Sequence, residues 1–222
     1  ELPTNDACLL QSSQALGVPV PGVEAAANVA REAVRKGIPT RVEFFGGETA
    51  AAMVEEGIQA DLIAANNVFA HVPDMRSFTA GMKTLLKPGG VITIEIPHLM
   101  RLMEQNQFDT IYHEHFSYWS FITATRMLGD FGLTIFDVEE LSTHGGSMGI
   151  YARHTGDESH PVTERVRELT RREEEAGFTR LETYFSFDEK VKRTKRNILS
   201  FLIEAKRAGK SIAGYGAPGK GN

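Results

Sequence analysis

Between Gly17 and His98, apolar runs of strand length alternate with segments of helical spacing, and no other feature of the chain restricts its fold as much. "GVPVPGVE" (17–24), "TRVEFF" (40–45), "ADLIAANNVFA" (60–70) and "VITIEIPH" (91–98) read as strands. Between them "AAANVAREAVRKG" reads as a helix stopped by glycine, "GETAAAMVEEG" as a second, and "DMRSFTAGMKTLLKPGG" as a third ending at Pro-Gly-Gly. Strand–helix–strand order requires crossover connections, so the expectation is a doubly wound, mostly parallel α/β sheet with helices on both faces. The pattern then changes. A helix is expected across Trp119–Phe131, followed by "LTIFDVEEL" and "SMGIYARH", separated only by "STHGG", which predicts an antiparallel C-terminal strand pair. From Pro161 to Gly209 the chain is charged, with Leu181, Tyr184, Phe185, Ile198, Phe201 and Leu202 at helical spacing, which predicts two helices broken near Gly177. The expected division is residues 1–158 as the first domain, 159–210 as a helical connection, and 211–222 as the start of a second α/β domain.

Composition narrows the function classes. In 222 residues, 24 basic against 29 acidic side chains give a formal charge of −5, which argues against a nucleic-acid or anionic-membrane surface. The single cysteine, Cys8, excludes an internal disulfide framework, and a reducing cytoplasm fits best. "ELPTNDACLL" lacks Met, a basic leader and an apolar segment, while "SIAGYGAPGKGN" stops where a strand would pass into a helix. Both ends read as cut.

The chemistry-bearing residues cluster where strands end. In open α/β sheets ligands bind at the carboxyl edge, and an acidic residue there commonly holds ribose hydroxyls, a role open to Glu24. The alternative is a carboxylate favoured by a helix start. "ELPTNDACLL" lies where a cofactor loop belongs, but Pro3 and Ala7 stand where close backbone approach favours glycine; Asn5 and Asp6 could contact a ligand or form an Asx turn. Asn66, Asn67 and His71 of "NNVFAHVPD" fall at the same edge. "FDTIYHEHFSYWS" (108–120) admits three readings for His113, Glu114 and His115: a metal site, satisfied structural histidines, or proton transfer by an imidazole tuned by its neighbours. No complementary Cys or His cluster accompanies them, so no metal is expected. "GYGAPGKG" carries G-x-G-x-x-G after the strand-like "SIA", and reads either as the opening of a nucleotide-binding unit or as a flexible tail.

Taken together, "NNVFAHVPD", "IEIPHL", "NQFDTIYHEHFSYWS", "THGGSMGIYARH", "LETY" and "GYGAPGKGN" resemble the S-adenosylmethionine-dependent C-methyltransferases that act on nucleotide-activated deoxysugars, the sugar 3-C-methyltransferase group. The resemblance runs over essentially the whole chain. It implies a class I, Rossmann-like methyltransferase domain, S-adenosyl-L-methionine as cofactor, and a nucleotide-linked keto-deoxysugar as partner. It further implies that zinc belongs to an N-terminal domain that this chain does not include. Cofactor contacts are implied for Glu1, Asn5, Asp6, Glu24, Phe45, Asn66 and Asn67, and substrate contacts for His113, His144, Gly145, Gly146, Tyr215 and Lys220. His115 is implied as the base that forms an enolate, with Tyr112 and Glu114 orienting it or the sugar and His71 hydrogen-bonding the enolate oxygen or a bridging water. The family's loop, E-I-G-S-N-D-G, has two glycines where this chain has Pro3 and Ala7, so a cofactor-free sugar-binding module is one rival. An NAD-dependent oxidoreductase is the other, although its glycine fingerprint belongs after the first strand.

Overall fold

Residues 1–4 and 7–216 are described by the computed structural model. In chain order the elements are α1 (Cys8–Ala15), β1 (Gly22–Val23), α2 (Ala27–Arg35), β2 (Thr40–Arg41), α3 (Gly47–Glu55), β3 (Ala60–Asn66), α4 (Met75–Leu85), β4 (Leu86–Pro97), α5 (Leu99–Glu104), α6 (Phe121–Asp130), β5 (Leu133–Leu141), β6 (Ser147–His154), α7 (Glu164–Glu175) and α8 (Leu181–Arg207). The main sheet has the order β3-β4-β6-β5, with β3 and β4 parallel and β6 antiparallel to both its neighbours. β1 and β2 form a separate parallel pair.

Residues 1–4 join the two sheets. Leu2 N–H donates to the Ala64 carbonyl of β3 at 2.8 Å, and Thr4 N–H donates to the Val23 carbonyl of β1 at 3.0 Å. This segment therefore runs where a central strand would, but Pro3 has no N–H to continue the ladder. Its closeness to β1 explains a glycine: a Cβ on Gly22 would lie 2.1 Å from Thr4 Oγ1.

The core follows from the burial periods. On β4, Ile92, Ile94 and Ile96 are each at most 1% exposed, the period-2 signature of one strand face. α6 buries Phe121, Ala124 and Leu128, and α7 buries Val166, Leu169 and Glu173, both at i, i+3, i+7. A charged residue on that stripe of α7 is unusual. α8 is exposed along most of its length, and Lys190 fastens it to α5 by donating to the Met103 and Glu104 carbonyls, each at 2.7 Å.

Three local expectations are corrected. "TRVEFF" is a strand only at Thr40–Arg41, because the following aromatics wall a cavity rather than a sheet. The Pro-Gly-Gly stretch lies within β4, beside a register shift between Ala60 and Leu62 that absorbs its irregularity. "SIA" forms no strand; residues 211–216 have no regular structure and are exposed, since no strand among the described residues offers them hydrogen bonds.

Candidate active site

Two adjoining cavities open at the carboxyl ends of the parallel strands. The first, of about 490 Å³, is lined by Glu24 beyond β1, Phe44 and Phe45 beyond β2, Val68 and His71 beyond β3, and Asp74, Ser77 and Phe78 at the start of α4. Glu24 is buried, and its Oε1 accepts Ala26 N–H at 2.8 Å, so the helix-start reading is realised at a residue that also faces the cavity. Asp74 caps α4 by accepting Ser77 N–H at 3.0 Å, and Ser77 Oγ in turn accepts Gly47 N–H at 3.1 Å. Phe45 packs edge-on against Phe78 at 5.3 Å, Phe78 against Phe69 at 5.8 Å, and Phe69 against Trp119 at 5.3 Å. Carboxylates from Glu24, Glu43, Glu48 and Asp74 line this cavity, and no Lys or Arg stands among its described lining residues.

The second cavity, of about 330 Å³, is lined by Asn67, His71, His98, Tyr112, His115, Tyr118 and His144, among others. His71 belongs to both cavities. Its position is fixed by the loop opposite: Phe116 N–H donates to the Ala70 carbonyl at 2.8 Å, and His71 Nδ1 lies 3.0 Å from the Glu114 carbonyl. A carbonyl can only accept, so Nδ1 carries the proton and Nε2 is the acceptor of the neutral ring. Around it the rings converge, with His71–His115 centroids 4.8 Å apart, Tyr112–His115 at 4.5 Å and His115–Tyr118 at 5.5 Å. Tyr118 braces the turn by accepting Tyr112 N–H at 3.1 Å. Burial pushes its phenol up from its ordinary value, against the lowering effect of that backbone hydrogen bond.

The sequence-derived residues divide clearly. Glu24, Phe45 and His71 line the first cavity; Asn67, His71, Tyr112, His115 and His144 line the second. Asn67 thus sits on the side of the aromatic cluster, in a left-handed backbone conformation with φ 54°. Asn66 ends β3 paired with Glu95 and lines neither cavity. Glu1 belongs to the joining segment, where its carbonyl accepts Val23 N–H at 3.5 Å. Glu114 meets His71 through its backbone carbonyl, and His113 is exposed outside both linings. Gly145 and Gly146 shape the loop: both have positive φ, and a Cβ would lie 2.6 Å from Gln107 or 2.9 Å from Arg101, respectively. Tyr215 is fully exposed. Asn5, Asp6 and Lys220 lie outside the described residues.

His98 and Tyr118 are site residues to which the sequence reading gave no role. Both stood in quoted motifs, "IEIPHL" and "YHEHFSYWS", and His98 follows the carboxyl end of the strongest strand, which is itself the signal. His98 is 1% exposed, and its Nε2 lies 2.7 Å from Glu173 Oε1. Among the described residues no group of three or more His, Cys, Asp or Glu could hold a metal ion, and no helix is long and apolar enough to cross a membrane.

A methyltransferase-domain family model matches residues 4–138, more than half of the chain. A C-methyltransferase C-terminal-domain model matches residues 142–222. The chain belongs to the S-adenosylmethionine-dependent C-methyltransferases. It is 33% identical over 222 residues to C-methyltransferase NovU of Streptomyces niveus, matching 100% of this chain and 53% of that protein. The chain therefore spans about half the length of that relative. Among solved structures, the CcbJ methyltransferase of Streptomyces caelestis aligns with a TM-score of 0.54 at 10% identity, covering 69% of this chain and 81% of that one. Magnesium protoporphyrin IX methyltransferase of Synechocystis PCC 6803, solved with bound SAM, aligns with a TM-score of 0.50 at 13% identity over 68% and 67% of the two chains. At those identities the likeness shows the class I methyltransferase fold, the expected Rossmann-like α/β architecture with its antiparallel C-terminal strand pair.

Proposed function

We propose that the protein containing this chain methylates the carbon next to the carbonyl of a nucleotide-linked keto-deoxysugar. The observation that carries the reading is the sharing of His71 between a carboxylate-rich cavity and a cavity walled by imidazoles and phenols. S-adenosylmethionine, the cofactor of this family, fits the first cavity on the donor set alone. Glu24 lines it and is assigned to the ribose hydroxyls, Phe45 and Phe78 to the faces of the adenine, and the surrounding carboxylates suit a cation. Bound there, it supplies an already activated methyl carbon.

The chain's own residues then have to create a nucleophilic carbon. A proton α to a carbonyl can be taken by an imidazole, which titrates near the operating pH. His115 is assigned that role, with the tilted Tyr112 ring 4.5 Å away as its orienting neighbour. The electron pair released from the C–H bond moves onto the carbonyl oxygen, and the proton stays on the imidazole. Removing that negative charge from bulk water requires donors nearby. His71 can serve through a bridging water, since its neutral ring presents Nε2 as an acceptor. The same tautomer favours a second reading, in which His71 takes the proton and His115 assists. Division of the parent protein at residues 158 and 210, with residues 211–222 opening a nucleotide-sugar-binding domain, completes the proposal.

The test assays the full-length protein against keto-deoxysugar nucleotides, reading a mass gain of one methylene. Loss of a general base costs about 100-fold to 10,000-fold, so His115→Ala falls by that factor with S-adenosylmethionine affinity unchanged, while His71→Ala falls less. The reverse order assigns the base to His71. Wild-type turnover in both variants removes proton transfer from this cluster.

A further inference from the structure

α8 meets α5 at the carboxyl end of α5, where the short helix closes on a left-handed residue. Asn106 has φ 58°; its N–H donates to the Met103 carbonyl at 3.4 Å, and Gln107 N–H donates to the Leu102 carbonyl at 2.9 Å. These are the paired return bonds of a helix that stops on such a residue. The Lys190 ammonium supplies the last carbonyls, those of Met103 and Glu104. Thr194, one turn further along α8, accepts Asn106 Nδ2–H at 2.8 Å. α8 therefore grips this turn through its backbone and through its left-handed side chain. It buries none of its own residues, so directed hydrogen bonds, more than a packed core, hold it there.

The turn leads directly into the wall of the second cavity. Leu102, Gln107 and Thr110 line that cavity, as does His144 opposite. Gln107 Nε2 donates to the Gly145 carbonyl at 2.7 Å, on the loop that carries His144, and Thr110 Oγ1 donates to the Gln107 carbonyl at 2.8 Å. Gln107 thus ties both sides of the wall together, and its own position is set by the turn that α8 holds. No residue of α5, of this turn or of α8 is among the described lining residues of the first cavity.

We propose that Lys190 and Thr194 are positioning residues for methyl transfer: by fixing the end of α5 they fix Gln107 and the wall of the second cavity. Neither residue lines that cavity. The inference rests on the reading of this cavity as the site of the methyl acceptor. Loosening the grip should therefore misplace the acceptor and leave the cofactor where it is, and misplacement by about 1 Å is enough to slow a reaction substantially.

The experiment uses the full-length protein and reads backbone amide exchange beside kinetics. The amides of Gln107, Thr110 and Ile111 are hydrogen-bonded within the gripped segment, while those of Ala26 and Ser77 report on the first cavity. The Lys190 bonds are partly solvent-exposed, so Lys190→Met should speed exchange of the first set by about tenfold, the low end for charge-assisted hydrogen bonds, and leave the second set unchanged. kcat/KM for a keto-deoxysugar nucleotide should fall by about tenfold with S-adenosylmethionine affinity unaltered, and Lys190→Arg, which can still donate to both carbonyls, should recover most of the loss. Thr194→Val, close to threonine in shape, should act in the same direction by about threefold to tenfold, whereas Thr194→Ser keeps the hydroxyl and should not. Unchanged exchange at Gln107, Thr110 and Ile111 would overturn the grip, and a uniform rise in both sets would reduce it to general stability. Faster local exchange with undiminished acceptor turnover would overturn the positioning role and leave the proposed activity standing. A wild-type protein that methylates no such nucleotide overturns the activity and with it the role in turnover, while the exchange rates still decide whether α8 holds this wall.

Discussion

Replacing Glu173 with leucine should destabilise the protein far beyond an ordinary helix substitution. Both side chains of the Glu173–His98 pair are fully buried. Leucine would strand three donors at once: Phe121 N–H and Ile122 N–H at the start of α6, and His98 Nε2–H. A buried donor left unpaired costs about 1–3 kcal/mol. Relief from desolvating the carboxylate offsets part of the sum, and removing one member of a buried pair typically costs about 3–5 kcal/mol. That is a large share of a total stability of about 5–15 kcal/mol. Trp119 is the sole tryptophan of this chain, lies 5% exposed, and its carbonyl accepts Leu99 N–H at 2.9 Å. Its fluorescence should therefore follow denaturant unfolding at the affected place. Glu173→Gln, which keeps an oxygen for the α6 N–H groups, should cost about half as much, and His98→Phe with Glu173→Leu should cost less than the sum of the two, because the stranded imidazole is gone. A loss under about 1 kcal/mol for Glu173→Leu would refute the assignment of Glu173 as the shared acceptor.

Other outcomes follow from the same geometry. Glu24→Ala should weaken S-adenosylmethionine binding roughly tenfold to a hundredfold by calorimetry, the value of a charge-assisted contact; unchanged affinity would reduce Glu24 to its bond with Ala26 N–H. Ala7, at φ 63° before α1, occupies a backbone region that costs a side chain about 1–2 kcal/mol, so Ala7→Gly should raise stability by about 0.5–1 kcal/mol after glycine's greater unfolded-state entropy is counted. A lowered melting temperature would contradict this. Burial acts to raise the Asp137 carboxyl, but the Arg165 guanidinium, Thr163 hydroxyl and Val138 N–H outweigh it and hold it below its ordinary value; burial likewise opposes, and Arg172 and Arg101 prevail, at Glu140. Groups depressed on folding stabilise above their unfolded values and lose that contribution as pH falls through the folded ones, so stability should drop below about pH 4. Asp137→Asn with Glu140→Gln should flatten that acid limb in melting curves, and an unaltered slope would discount both pairs.

How much was legible in the sequence depended on whether a residue's neighbours in the chain were also its neighbours in space. The period-2 burial of Ile92, Ile94 and Ile96 could be read directly, and so could the hairpin order of β5 and β6, because local pattern dictates both. The convergence of His71 with Tyr112 and His115 followed from one topological rule, that parallel strands deliver their following loops to a single edge. The extent of β2 was misread: Phe44 and Phe45 look like strand residues, but one is 85% exposed and both wall a cavity, and apolar lining cannot be told from apolar core by composition. Glu173 was invisible for the opposite reason. In "ERVRELTRREEE" it is one of many acidic residues, and only its place seven residues beyond Val166 marks it as core. Its partner lies 75 residues earlier, and no local pattern encodes such a pairing.

That pairing also bears on how the two matched regions depend on each other. His98, Phe121 and Ile122 lie in the stretch matched by the methyltransferase-domain model, and Glu173 lies in the stretch matched by the C-methyltransferase C-terminal-domain model. β6 comes from the second stretch as well, yet it pairs with β4 of the first and with β5, which begins in the first. His144 on the loop before β6 completes the wall of the second cavity. Apart from Pro3, the first cavity is lined by residues of the first stretch, whereas the second cavity draws hydrogen-bonding support and part of its wall from the other. A change in this supporting segment can therefore reach the second cavity while leaving the lining of the first intact. Glu173 is the physical link by which that segment sets the orientation of a ring inside the cavity.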